Sequence, residues 1–178
     1  MSTPYPDSWK AVVGPALCVA PIAQAPTVYL GGPITGATYQ EATGWRQDIA
    51  AALEAYGFRC LSPMRRYKHT NEYYKNGKPI PRLKDDMPDS TEAMEGDLAD
   101  IREADYVLIN FLDSTYPSIG SLVELGYAAA LKKKIVAALE PDDPHDHIFV
   151  TGLSLVTTSL DGAIAAIVMA DRQQQGDY

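Results

Sequence analysis

The sequence predicts an α/β fold with a doubly wound parallel sheet. Three observations carry the prediction. Strand-like and helix-like segments alternate along the chain. Tyr106 to Phe111 is almost uninterrupted apolar sequence, as expected of a strand covered by helices on both faces. The first strand-like run ends abruptly in Gly31-Gly32-Pro33, a strong turn signal.

Each element has its own justification. Thr27 to Leu30 reads as the first strand. Tyr39 to Tyr56 follows as a helix, because Trp45, Ile49, Leu53 and Tyr56 recur at helical spacing and Gly57 stops it. Phe58 to Leu61 reads as the second strand. Ser62 to Pro88 is rich in Pro, Gly, Lys, Asn and Tyr and reads as a long loop, of the length that often forms a functional lid. Ser90 to Glu103 reads as a helix with Met94, Leu98 and Ile101 as its apolar stripe, leaving Asp100 and Glu103 to solvent. Tyr106 to Phe111 is the third strand, Ser118 to Lys133 the next helix and Ile135 to Leu139 the fourth strand. Glu140 to His147 is a polar loop. Leu155 to Ser159 reads as a fifth strand, with Asp161 capping a last helix through Met169. Residues 1–26 read as an N-terminal extension, and 27–178 as a single domain.

Composition narrows the function. The 178 residues are 46% hydrophobic and 21% charged, as in an ordinary globular protein. A net charge of −8 without a basic tract argues against a nucleic-acid polymer as partner. Two cysteines, Cys18 and Cys60, cannot build a disulfide framework. No run reaches membrane-spanning length. Ala11 to Ala25 is mildly apolar, but Pro15 and Pro21 interrupt it, so it does not read as a secretion signal. A cytoplasmic location follows as the default.

The chemistry-bearing residues cluster where open α/β sheets bind ligands, at the carboxyl ends of the strands. Glu124 is a lone carboxylate in the helix after the third strand, amid small and apolar residues. Two readings stand. Ser121-x-x-Glu124 fits a capping box. Equally, a carboxylate in a helix's first turns is favoured in its ionised form by the dipole, the form a nucleophile needs. Gly31, Gly32, Pro33, Ile34 and Thr35 form a loop whose glycines allow close backbone approach to a ligand, or only a turn. Tyr29, just before it, has a hydroxyl able to reach a buried carboxylate. Asp97 borders the apolar stripe of its helix. Ser118 either caps the Glu124 helix or, with the following amides, holds a phosphate. Asn110 and Asp113 end the strand feeding this loop and suit a sugar. Arg65, with Arg66 and Lys68, suits an anion or a solvated basic loop. Asp142 to His147 has the composition of a metal site, but its spacing matches no strong ligand pattern and it reads as a flexible acidic loop. No serine or cysteine has a plausible histidine partner, since His69, His145 and His147 all fall in loops.

Together these residues resemble the nucleoside 2-deoxyribosyltransferase superfamily over Thr27 to Leu139. The resemblance rests on Val28-Tyr29-Leu30-Gly31-Gly32-Pro33, on Asp97 in a helix before Ala104-Asp105-Tyr106-Val107, and on Gly120 four residues before Glu124-Leu125-Gly126-Tyr127-Ala128. It implies a flavodoxin-like, Rossmann-like sheet of order 2-1-3-4-5 and chemistry at an N-glycosidic bond. It implies Glu124 as the nucleophile, Tyr29 as its orienting partner and Asp97 as a second carboxylate. Gly120 and Ser121 fall in the substrate-binding segment. It also implies a homodimer or larger homo-oligomer, and no metal or other cofactor.

One position separates branches of that superfamily. Transferases acting on free nucleosides typically carry Asp six residues before the glutamate, against the sugar 5′-hydroxyl. This chain has Ser118 there, which resembles the branch that hydrolyses nucleoside 5′-monophosphates. Two departures stand beside this. The first loop offers Thr35 where that branch often has a basic residue, and no Asn follows His147 to match the one transferases use. The expectation is therefore hydrolysis of (deoxy)ribonucleoside 5′-monophosphates through a covalent glycosyl-enzyme. The alternatives are deoxyribose transfer between bases and a non-catalytic nucleotide-binding module.

Overall fold

The computed structural model describes residues 25–66, 77–80, 90–112 and 114–176. Five strands form one parallel sheet: β1 (Thr27–Gly31), β2 (Arg59–Leu61), β3 (Tyr106–Asn110), β4 (Lys134–Ala138) and β5 (Leu155–Thr157). Their order is β2-β1-β3-β4-β5, as the resemblance implied. Each crossover carries a helix or helical turn, as parallel pairing requires. The helices are α1 (Tyr39–Glu54), α2 (Ser90–Glu103), α3 (Ile119–Ala130), α4 (Ile148–Leu153) and α5 (Leu160–Gln175).

Strand alternation divides the core into two layers. Val28, Leu30, Leu108 and Val136 face one side and pack with Ile49 and Leu53 of α1 and Ile164, Ile167 and Val168 of α5. Each such side chain, fully buried, contributes about 1.5–3 kcal/mol. Tyr29, Val107, Ile109, Ile135 and Ala137 face the other side, against Ile101, Leu125 and Ala128 of α2 and α3. The parity of β1 thus sends Tyr29 toward the layer that contains Glu124.

Several expectations are corrected. In α2, Met94 is 58% exposed while Asp100 is 3% exposed. The face turned inward runs through Ala93, Asp100, Ile101 and Ala104, because arginines after β2 neutralise Asp100 in place. Ser121 is not the cap of α3. That position is Ser118, and Ser121 lies buried inside the helix. The last helix is capped by Ser159, whose hydroxyl accepts the Gly162 N–H at 3.1 Å, and it runs on to Gln175. Asp161 sits in its first turn. The helix α4 was not anticipated, since Ile148–Leu153 is too short for a periodic signal. Within the expected 62–88 loop, Pro63–Arg66 forms a 3-10 turn and Pro79 bridges to Thr38. The N-terminal extension lies outside the described residues except for 25 and 26.

Candidate active site

The exits of β1 and β3 and the starts of α2 and α3 surround a cleft of about 550 Å³. Gly32, Pro33, Ile34 and Thr35 form one wall. Ser118, Gly120, Ser121 and Glu124 form another, and Asp97 a third. Nine residues singled out in the sequence therefore line one cavity.

At its floor, the Tyr29 hydroxyl donates to Glu124 Oε1 at 2.9 Å. Glu124 Oε2 is buried and has no hydrogen-bond partner among the described residues. An unsatisfied buried oxygen is costly and calls for an explanation. Burial, followed by the nearby charge of Asp97, pushes the Glu124 carboxyl up to about 8, against the Tyr29 hydrogen bond and the Arg46 charge. The helix-start field expected to favour ionisation is outweighed by desolvation. Burial, and then the Glu124 charge, also raises the Tyr29 phenol well above its ordinary value. Tyr29 is therefore a fixed donor.

Gly31 makes this pairing possible. A Cβ there would lie 2.9 Å from Glu124 Oε2 and collide with Ile109. A Cβ on Gly32 would meet the Asn110 carbonyl at 2.8 Å. Arg46 supports the loop from below. Only 2% exposed, it donates to the Leu30 carbonyl at 3.1 Å and the Gly32 carbonyl at 2.8 Å.

Asp97 lies 3.0 Å from Arg66. Burial pushes its carboxyl up to about 6 despite Arg66, and the Asp100 charge adds to the rise. Asp100 is itself buried, but bonds to Arg66 and Arg65 outweigh burial and hold its carboxyl low. Arg65, expected to meet an anion, pairs with Asp100 and the Ser62 carbonyl and does not line the cleft. A buried carboxylate one helical turn from Asp97 claims it. Gly96 leaves room for the Arg66 side chain, since a Cβ there would collide with the guanidinium Nε and Cζ.

Ser118 sits at the N-cap position of α3 without a side-chain capping bond. Its hydroxyl pairs with the Ser121 hydroxyl at 2.9 Å. The Ile119, Gly120 and Ser121 amides, as the first of the helix, have no carbonyl four residues back to bond. A Cβ on Gly120 would meet nothing within 4 Å, so this helix start is open. Asn110 turns back on the chain, its Oδ1 accepting the Leu112 N–H at 3.0 Å, and does not line the cleft. Asp113 lies outside the described residues.

The sequence profile of the nucleoside 2-deoxyribosyltransferase family matches residues 28–171. The chain belongs to this family. It is accordingly an enzyme of the glycosyl-transfer type that works at N-glycosidic bonds. Among solved structures it is similar to a 2-deoxyribosyltransferase from Bacillus psychrosaccharolyticus, at 15% identity and a TM-score of 0.54, covering 78% of this chain and 90% of that one. It is also similar to a Moco carrier protein from Chlamydomonas reinhardtii, at 14% identity and a TM-score of 0.50, covering 83% and 99%. A CMP N-glycosidase from Clostridium botulinum matches at 17% identity and a TM-score of 0.49, covering 81% and 98%. At these identities the likeness to the first two establishes the fold alone. No protein with a curated description is significantly similar in sequence.

Two buried residues beside the cleft are ones that the sequence did not point to. Arg46 is hidden in a helical pattern whose conspicuous members are Trp45 and Ile49. His145 fell in a loop read as flexible and acidic, yet it is 1% exposed and stacked on Phe111 at a centroid distance of 3.9 Å. Its neighbour Asp143 binds it, and among the described residues no three His, Cys, Asp or Glu side chains converge as metal ligands. No described helix is long and apolar enough to cross a membrane.

Proposed function

We propose that this enzyme hydrolyses the N-glycosidic bond of (deoxy)ribonucleoside 5′-monophosphates, with Glu124 as nucleophile. The observation that carries the reading is the Tyr29–Glu124 pair at the floor of the cleft, with one carboxylate oxygen held and the other unpartnered. In the first step the form with Glu124 ionised and the shared proton on Asp97 reacts, and a Glu124 oxygen bonds the anomeric carbon as the bond to the base breaks. The electron pair leaves with the base nitrogen, and Asp97, raised toward neutrality, donates the proton. An adjacent carboxylate stabilises the oxocarbenium character of this transition state. In the second step water attacks the anomeric carbon, Asp97 takes its proton, and Glu124 is released.

The 5′-phosphate belongs at the start of α3. Ser118, the Gly120 backbone and the free amides offer donors and no carboxylate, and a helix N-terminus favours an anion. Pairing of Arg65 and Arg66 with acids of α2 leaves this helix start as the phosphate subsite that the described geometry supports. The exposed Tyr116, Ile119, Val123 and Met94 at the cleft rim support a homo-oligomer that covers the mouth.

The test is a panel of nucleosides and their 5′-monophosphates, with and without a second base, read by chromatography of released base and sugar phosphate. Base release from monophosphates with water as acceptor is expected. Efficient transfer of deoxyribose between bases, with nucleosides preferred, would replace this reading with the transferase one.

A further inference from the structure

The loop after β4 reaches back to the loop after β3 through one buried side chain. The Ser118 N–H donates to His145 Nε2 at 2.7 Å. A backbone amide can only donate, so Nε2 carries a lone pair and the ring proton sits on Nδ1. That Nδ1 lies 2.7 Å from Asp143 Oδ1, which also accepts the His145 backbone N–H at 2.7 Å. Asp143 thereby fixes both the tautomer and the ring orientation, and the Phe111 stack fixes the plane.

The geometry points to His145 as a positioning residue for the phosphate subsite. It holds the Ser118 amide away from the ligand, which sets the angle at which the chain enters α3. The Ile119, Gly120 and Ser121 amides and the Ser118 hydroxyl then face the cleft as one set. His145 does not line the cleft and touches no reacting group. Its effect belongs to substrate binding and to the choice of monophosphate over nucleoside. This inference rests on the phosphate reading of the α3 start.

The structure also says why a histidine suits this place. The acceptor must cross from one loop to another, stay buried and present no second donor to the amide. A neutral imidazole locked by a carboxylate meets all three conditions. An alanine would take away the acceptor of the Ser118 N–H, and the helix start would settle elsewhere. A glutamine keeps a neutral acceptor of similar reach.

The experiment compares wild type, His145→Ala, His145→Gln, Asp143→Asn and Asp143→Leu on a nucleoside 5′-monophosphate and its free nucleoside, with inorganic phosphate as a competing probe. Circular dichroism confirms that each variant is folded. His145→Ala should raise KM for the monophosphate by about 10- to 100-fold, as expected of a misplaced binding group, with kcat within about threefold. KM for the nucleoside should move less than about threefold, and inhibition by inorganic phosphate should weaken in parallel. His145→Gln should recover most of the loss. Asp143→Asn, which retains an acceptor for Nδ1–H, should fall near wild type, and Asp143→Leu, which removes that acceptor and frees the tautomer, should raise KM for the monophosphate as His145→Ala does and serves as the test should His145→Ala not fold. Equal losses on both substrates, losses in kcat alone, or no rescue by glutamine would overturn the proposal. A wild type indifferent to the 5′-phosphate would instead remove the phosphate reading, and this inference with it.

Discussion

Replacing Glu124 with glutamine should make the protein more stable at high pH while abolishing its activity. The carboxyl is raised from 4.5 to about 8, so its ionised form is penalised in the folded state. The difference, about 3.5 units, corresponds to about 5 kcal/mol at 1.36 kcal/mol per unit. The sign follows from linkage. Between pH 4.5 and 8 the folded protein retains a proton that the unfolded chain has released, so wild-type stability falls as pH rises through that window. Glutamine does not titrate and lacks this slope. It still accepts from Tyr29, but its amide takes the place of Oε2, which has no partner, at a cost of about 1–3 kcal/mol. Glu124→Gln should therefore be slightly less stable than wild type at pH 5, and about 2–4 kcal/mol more stable at pH 9. For a chain of this size that is a rise in Tm of roughly 5–15 °C. Thermal denaturation of both proteins from pH 5 to 9 reads the effect directly, and base release should fall at least about 1,000-fold. A gap in Tm that does not change with pH would refute the buried, proton-linked carboxylate. Near-wild-type turnover would refute its role as nucleophile.

Three further predictions rest on the same cleft. The coupled carboxyls at about 6 and about 8 should give a bell-shaped kcat/KM profile centred near pH 7. Asp97→Asn should lower turnover by about 100-fold or more and replace the bell with a single rise. That rise should lie below pH 8, because the Asp97 charge helps to raise Glu124. An unchanged bell would show that Asp97 is not the acid. Gly31→Ala places a methyl group 2.9 Å from Glu124 Oε2 and against Ile109, so it should cost about 1–3 kcal/mol of stability and most of the activity, and wild-type values in both would contradict the packing described. Ser118→Asp brings a carboxylate to the open start of α3 and should depress activity on a monophosphate at least about tenfold more than on the nucleoside. Equal effects on the two substrates would move the phosphate away from Ser118.

The sequence by itself determined the five strands, the four longer helices and the Tyr29–Glu124 pair. Helix α2 begins and ends where its spacing and flanking residues predict, at Ser90 and Glu103. The apolar run of β3 and the turn after β1 are local signals, and backbone propensity and burial read them without tertiary help. The motif around Glu124 pointed to Tyr29, 95 residues away, through strand parity and family pattern, and the two do meet. Tertiary packing decided what each charge is for. Arg65 and Asp100 look alike on paper as solvent-facing residues, yet they neutralise each other because α2 packs against the turn after β2. His145 lies in a sequence of acids and prolines that has no periodicity. Only the approach of the β4 and β3 loops at one sheet edge gives it an amide to hold. The ionisation of Glu124 is the clearest case. Its position in the first turns of a helix predicts a lowered pKa, while burial beside a second carboxylate raises it. Desolvation depends on atoms contributed by distant segments, and no local pattern in the chain encodes it.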